Sequence, residues 1–142
     1  MFERYTEPAR RALFFARYEV SESGGAAITP EHLLLGVLRQ LRGVTARILA
    51  KVDEEALQRE LRMACADGDR VSTSVEIPFS EDTKRILTRT AAEADYLKHQ
   101  SIGTEHLVLA ILVDARSEAA RILMENGIMA TDLRREIADP AR

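Results

Sequence analysis

Two Glu-His pairs stand 74 residues apart, each inside an apolar run: "ITPEHLLLGVL" from Ile28 to Leu38 and "IGTEHLVLAIL" from Ile102 to Leu112. A carboxylate such as Glu31 or Glu105 can hold a guanidinium by planar, charge-assisted hydrogen bonds. In the first turn of a helix it also favours the macrodipole without any ligand. Thr6 and Ser80 put hydroxyls at the starts of two further helices, where free N–H groups attract anions. His32 and His106 lie one residue on, turned towards the core, and neither has a second ligand at metal spacing, so core or capping roles are expected and no metal site. His99, near a helix end, reads as a dipole-favoured surface residue. Cys65 lies outside any Cys-His signature and reads as a small core residue.

No nucleophile–base constellation, metal set or G-x-x-x-x-G-K-[ST] phosphate loop occurs in the 142 residues, so no enzyme and no cofactor are expected. Net charge is −3 with no basic run, which argues against nucleic acid as a partner. The N-terminus is charged and amphipathic rather than a signal peptide, and the apolar runs are too short to cross a bilayer. The single cysteine fits a reducing compartment, and the expected location is the cytoplasm.

Helices must position these groups. Ala9, Leu13, Ala16 and Val20 form a stripe behind the Thr6 cap, widened by Ala12 and Phe15, and Gly24-Gly25 stops it. Thr29-Pro30 opens a second helix, "VTARILAKV" is a short third, and Asp53 caps a fourth. Residues 68–79, "GDRVSTSVEIPF", have no helical period and read as a linker. Ser80 then caps "EDTKRILTRTAAEADYLKHQ", Thr104 opens "EHLVLAILVDA", "SEAARILMEN" runs to a stop at Gly127, and "ATDLRREIAD" closes the series.

Shifting the chain on itself by 74 residues aligns Thr6 with Ser80 and Leu49 with Leu123 without a gap, and about a third of the positions are identical. Two four-helix units are therefore expected, repeat one at 1–67 and repeat two at 80–142. Each is marginal alone. The expected fold is all-α, eight helices with pseudo-twofold symmetry in one compact domain, a monomer in isolation.

The "MFERYT" start and the duplicated Glu-His signature resemble the N-terminal repeat (Clp R) domain of the Clp/Hsp100 unfoldases, closest to the ClpC type, over essentially the whole chain. The resemblance implies a non-enzymatic recognition module that receives Clp adaptors or marked substrate proteins ahead of an ATPase. It further implies pockets for phosphorylated arginine at Arg4, Thr6 and Glu31, and at Ser80 and Glu105. Phe2 and Phe79 match a hydrophobic peptide-binding patch of the family; as staples of two helix entrances they would serve the fold instead. Where ClpC-type domains carry a basic stretch after the second cap, this chain has "SEDTKR", and Pro78 stands in the place of Arg4. The first site is thus expected to be the stronger. The inter-helix turns "QLRG" and "DARS" also depart from the family's "EGEG", and no ATPase linker follows Arg142, which leans towards a stand-alone protein. Small stand-alone relatives imply the alternative role, an assembly or stabilising factor docking on a Clp protease core.

Overall fold

The computed structural model describes residues 2–65 and 76–138. Among them are eight helices: α1 (Glu7–Ser23), α2 (Pro30–Leu38), α3 (Gly43–Leu49), α4 (Glu54–Ala64), α5 (Glu81–Tyr96), α6 (Thr104–Asp114), α7 (Glu118–Glu125) and α8 (Ala130–Ala138). Much of the expected linker lies outside the described residues; residues 76–79 are not helical. The caps are those the sequence indicates at Thr6, Thr29, Asp53 and Ser80, each hydroxyl or carboxylate accepting a backbone N–H of the first turn. At α6 the cap is Gly103 rather than Thr104. The Thr104 hydroxyl is turned inward and bonds the buried Thr45 hydroxyl at 2.8 Å.

Helices α2 and α6 are the axis of the core. Their apolar runs are continuous rather than striped because neighbours cover them on every side: Leu33, Leu34, Val37, Leu107, Leu109 and Ile111 are all fully buried. The short helices change sides. α3, from the first half of the chain, packs on α6 and α8, while α7, from the second half, packs on α2, α4 and α6. Each half thus covers part of the other's apolar face.

The two halves differ in how tightly the long helices meet. Ala9, Ala12 and Ala16 let α1 approach α2 at Gly36. A Cβ at Gly36 would overlap the Ala12 carbonyl oxygen and lie 2.8 Å from the Ala16 nitrogen. The corresponding residues of the second half are Ile86, Thr90 and Ala110, so the crossing there is built from larger side chains. Each long helix also buries a carboxylate. Glu19 accepts from Arg39 at 2.9 Å and from Arg62 at 3.2 Å, tying α1 to the end of α2 and to α4. Glu93, 74 residues on, accepts from Arg134 of α8 at 3.1 Å.

Because the obstacle at Gly36 is backbone, Gly36→Ala is expected to lower stability by about 2 kcal/mol despite the better helix propensity of alanine. Urea unfolding monitored by circular dichroism checks it, and an unchanged midpoint would show that α1 can move away.

Candidate functional site

The helix starts that carry the candidate residues are joined in pairs by backbone. Thr6 N–H donates to the Ile102 carbonyl at 2.9 Å, and Ile102 N–H donates to the Arg4 carbonyl at 2.9 Å. Ser80 N–H donates to the Ile28 carbonyl at 3.0 Å, and Ile28 N–H donates to the Pro78 carbonyl at 2.8 Å. These are two isolated parallel bridges, Tyr5 with Ile102 and Ile28 with Phe79. They set the start of α1 beside the start of α6, and the start of α5 beside the start of α2. Thr6 therefore joins Glu105, and Ser80 joins Glu31. The sequence reading grouped Thr6 with Glu31 and Ser80 with Glu105, within each half, whereas the bridges make neighbours of helix starts from opposite halves. Pro78 fits its bridge because only its carbonyl is used there.

An open groove of about 770 Å³ lies beside the first pair, with Arg4, Arg10, Asp95, Lys98 and His99 among its lining residues. Arg4 is fixed by its donors: Nε to the Gln100 carbonyl and Nη2 to the His99 carbonyl, both at 2.9 Å, with Asp95 Oδ1 2.8 Å from Nη2. Arg10 donates Nη1 to the Tyr5 carbonyl at 2.8 Å. Lys98 is held at φ 60°, the left-handed region. Its counterpart in the first half is Gly24, at φ 93°. A lysine in a position that suits glycine is a local cost that the fold does not require. Arg10, Asp95 and Lys98 were not singled out in the sequence; the signal available was a lysine where the repeat has its helix-stopping glycine.

At the second pair, Glu31 is already engaged. Its Oε2 accepts from Ala119 N–H at 2.9 Å and so caps the first turn of α7. Burial raises its carboxyl above the ordinary value, and the Ala119 N–H opposes the rise. Glu81 and Asp82 add negative charge at the start of α5. Phe2 and Phe79 are half-buried and meet edge to face with centroids 6.3 Å apart; Phe2 meets Tyr5 at 5.0 Å. The rings thus bring the two bridges together at one end of the molecule.

The histidines serve the helix starts. Thr29 N–H donates to His32 Nδ1 at 3.1 Å, which leaves Nε2–H to donate to the Gly24 carbonyl at 3.0 Å. Gly103 N–H donates to His106 Nδ1 at 2.9 Å, and His106 Nε2 lies 3.0 Å from His99 Nδ1. His99 is therefore not the surface residue expected from the sequence: it is half-buried against His106, in the place taken by Gly25 in the first half. Cys65 is buried, and burial pushes its thiol up to about 12, which leaves it protonated at neutral pH. Among the described residues no group of three His, Cys, Asp or Glu residues is arranged to hold a metal ion. Among the described residues no helix is long and apolar enough to cross a membrane.

Two expectations follow. Lys98→Gly relieves the left-handed strain and is expected to raise stability by about 1 kcal/mol, read as a higher melting temperature. His32 is held below its ordinary pKa chiefly by burial, with the Gly24 carbonyl and Glu19 opposing the shift. Its contribution is complete above the unfolded value of about 6.5 and is lost as pH falls below it, because the unfolded chain takes the proton first. His32→Asn should therefore flatten the decline in urea stability between about pH 7 and pH 5 relative to the parent chain; equal slopes would remove His32 from the acid response.

Comparison with known proteins agrees with this architecture. The model of the Clp repeat (R) N-terminal domain matches residues 4–126. The chain is 32% identical over 139 residues to the chloroplastic chaperone protein ClpC of Pisum sativum, covering 96% of this chain and 15% of that protein. It is 30% identical over 139 residues to the negative regulator of genetic competence ClpC/MecB of Bacillus subtilis, covering 96% of this chain and 17% of that protein. The chain thus spans about a sixth of the length of these relatives. The N-terminal domain of ClpD from Arabidopsis thaliana superposes with a TM-score of 0.75 at 24% identity, over 96% of this chain and 93% of that one. The Hsp104 N-terminal domain from Candida albicans gives 0.74 at 18% identity, over 99% and 92%. Two helical repeats, interleaved through crossed bridges and opening on paired Glu-His helix starts, thus belong to the Clp repeat (R) N-terminal domain family.

Proposed function

We propose that the chain is a non-enzymatic protein–protein recognition module of a Clp unfoldase–protease system, binding adaptors or marked substrate proteins. Membership of the Clp repeat family carries this reading. A reducing compartment such as the cytoplasm suits the single, buried Cys65.

The mark we assign is phosphoarginine, and the crossed bridges indicate which residues would share it. Thr6 and the first turn of α1 supply a hydroxyl and N–H groups for phosphate, and the flanking groove adds Arg4, Arg10 and Lys98. Glu105, opening the neighbouring α6, supplies the carboxylate for the guanidinium. Ser80 and Glu31 form the weaker pair, because acidic residues flank Ser80 and Pro78 offers no cation where Arg4 stands. Phe2 and Phe79 lie between the two pairs as an apolar support for the rest of a bound segment.

Free phosphoarginine is expected to raise the melting temperature, while arginine plus inorganic phosphate does not. Thr6→Ala or Glu105→Ala should abolish the shift, and Glu31→Ala should instead lower the basal melting temperature by loosening α7. An absent shift in a folded chain would exclude the phosphoarginine assignment and leave the broader recognition role. A shift lost on Glu31→Ala but kept on Glu105→Ala would restore the pairing within each half.

A further inference from the structure

Tyr5, the residue before the Thr6 cap, uses its backbone and its ring but not its hydroxyl. Its N–H donates to the Phe2 carbonyl at 3.1 Å, and its carbonyl accepts from Arg10 Nη1 at 2.8 Å. Its ring meets Phe2 edge to face, and the residue is only 5% exposed. Among the described residues no group bonds the hydroxyl, yet the hydroxyl is not sealed inside: the polar side-chain atom found both sealed and unbonded there is Arg134 Nε. Tyr5 lines the groove of about 770 Å³ beside Thr6, and the hydroxyl opens there. Burial pushes it up from 10.0 to about 12, so it is a neutral donor at physiological pH.

The repeat supplies an internal control. The residue 74 places on is Phe79. Phe79 makes the equivalent bridge, with Ile28, and also meets Phe2 edge to face. The fold therefore uses an aromatic ring at this place and has no need of a hydroxyl. A hydroxyl withdrawn from water without a partner costs stability, so packing alone favours phenylalanine at both places. The groove departs from the repeat in the same direction elsewhere. Lys98 and Ser101 line it, whereas their counterparts Gly24 and Ala27 bring no side-chain donor.

We infer that the Tyr5 hydroxyl is a ligand-binding group of the first site, donating to a phosphoryl oxygen of phosphoarginine alongside the Thr6 hydroxyl and the first-turn N–H groups of α1. The inference rests on the phosphoarginine reading and adds a residue to it. A donor that is already desolvated and held in place by its ring loses little on binding, and its bond to a charged oxygen is stronger than one to a neutral acceptor. The pair at Ser80 has Phe79 in this place, so the first site gains a phosphoryl donor that the second lacks.

Calorimetric titration of the intact chain with phosphoarginine tests it on Tyr5→Phe, the substitution that copies the other half. The variant should bind about tenfold more weakly, the loss expected for one hydrogen bond to a charged group. Its melting temperature without ligand should be unchanged or higher, because the ring stays and an unpartnered hydroxyl is removed. With tyrosines labelled at Cζ, saturating phosphoarginine should move the Tyr5 resonance and leave that of Tyr18 in place. Equal affinity of Tyr5→Phe and the parent chain, or a Tyr5 resonance that does not move, would overturn the inference. A lower melting temperature of Tyr5→Phe would also overturn it, by showing that the hydroxyl serves the fold. The two assignments fail in distinguishable ways. If the parent chain does not bind phosphoarginine, the reading falls and the inference with it; if binding is lost in Thr6→Ala but kept in Tyr5→Phe, the inference alone falls.

Discussion

The arrangement depends on two short parallel bridges that cross between the halves. Each uses one residue of a pre-helical segment as donor and acceptor, Ile102 against Arg4 and Thr6, and Ile28 against Pro78 and Ser80. Buried backbone N–H and C=O groups must find partners, and the extended residues before a helix have none within the helix they precede. Here each half supplies them to the other. Once the helix starts are paired, the starts of α1, α6, α2 and α5 gather at one end of the molecule, where Phe2 meets Phe79. The short helices α3 and α7 then cover the apolar runs of the opposite half.

This coupling explains why the Glu-His signature is duplicated. The histidine is a local device: its Nδ1 takes the cap N–H and its Nε2–H reaches the preceding loop, which closes the helix start against the end of the helix before it. A neutral imidazole does this with no unmet polar group, and at His32 burial favours the neutral form. In the first copy the glutamate is a long-range device. Glu31 spans from α2 to the first turn of α7, satisfying an N–H and complementing the helix dipole with a carboxylate. Structure and ligand thus draw on the same chemistry at a helix start.

The helices and their caps were legible in the sequence because both are local. Thr6, Thr29, Asp53 and Ser80 each stand just before an apolar period, and the 74-residue shift exposed the duplication without any contact information. The grouping of the site was not legible. Nothing in the repeat states whether equivalent helix starts meet within a half or across halves, since both arrangements give the same spacing. His99 was misplaced for a related reason: a histidine after a helix looks solvated until the next helix, α6, sets His106 against it. The buried Glu19 and Glu93 did leave a trace. Each falls on or beside the apolar stripe of its long helix, at equivalent places in the repeat, where an exposed carboxylate has no reason to recur.

Duplication then makes the differences between halves informative. Where the halves agree, as at Glu19 and Glu93 or His32 and His106, the fold has a use for the residue in both contexts. Where they disagree at an exposed position, the fold tolerates either side chain, and packing cannot explain the choice. Lys98 in place of Gly24 accepts a left-handed backbone and puts a cation on the groove. Phe14 in place of Thr88 leaves an aromatic ring in water. Gly36 in place of Ala110 differs in kind, because it is buried and is required by the closeness of α1. Lys98 lines the groove and Phe14 does not, so these are two separate departures, and the packing shared by the two halves accounts for neither.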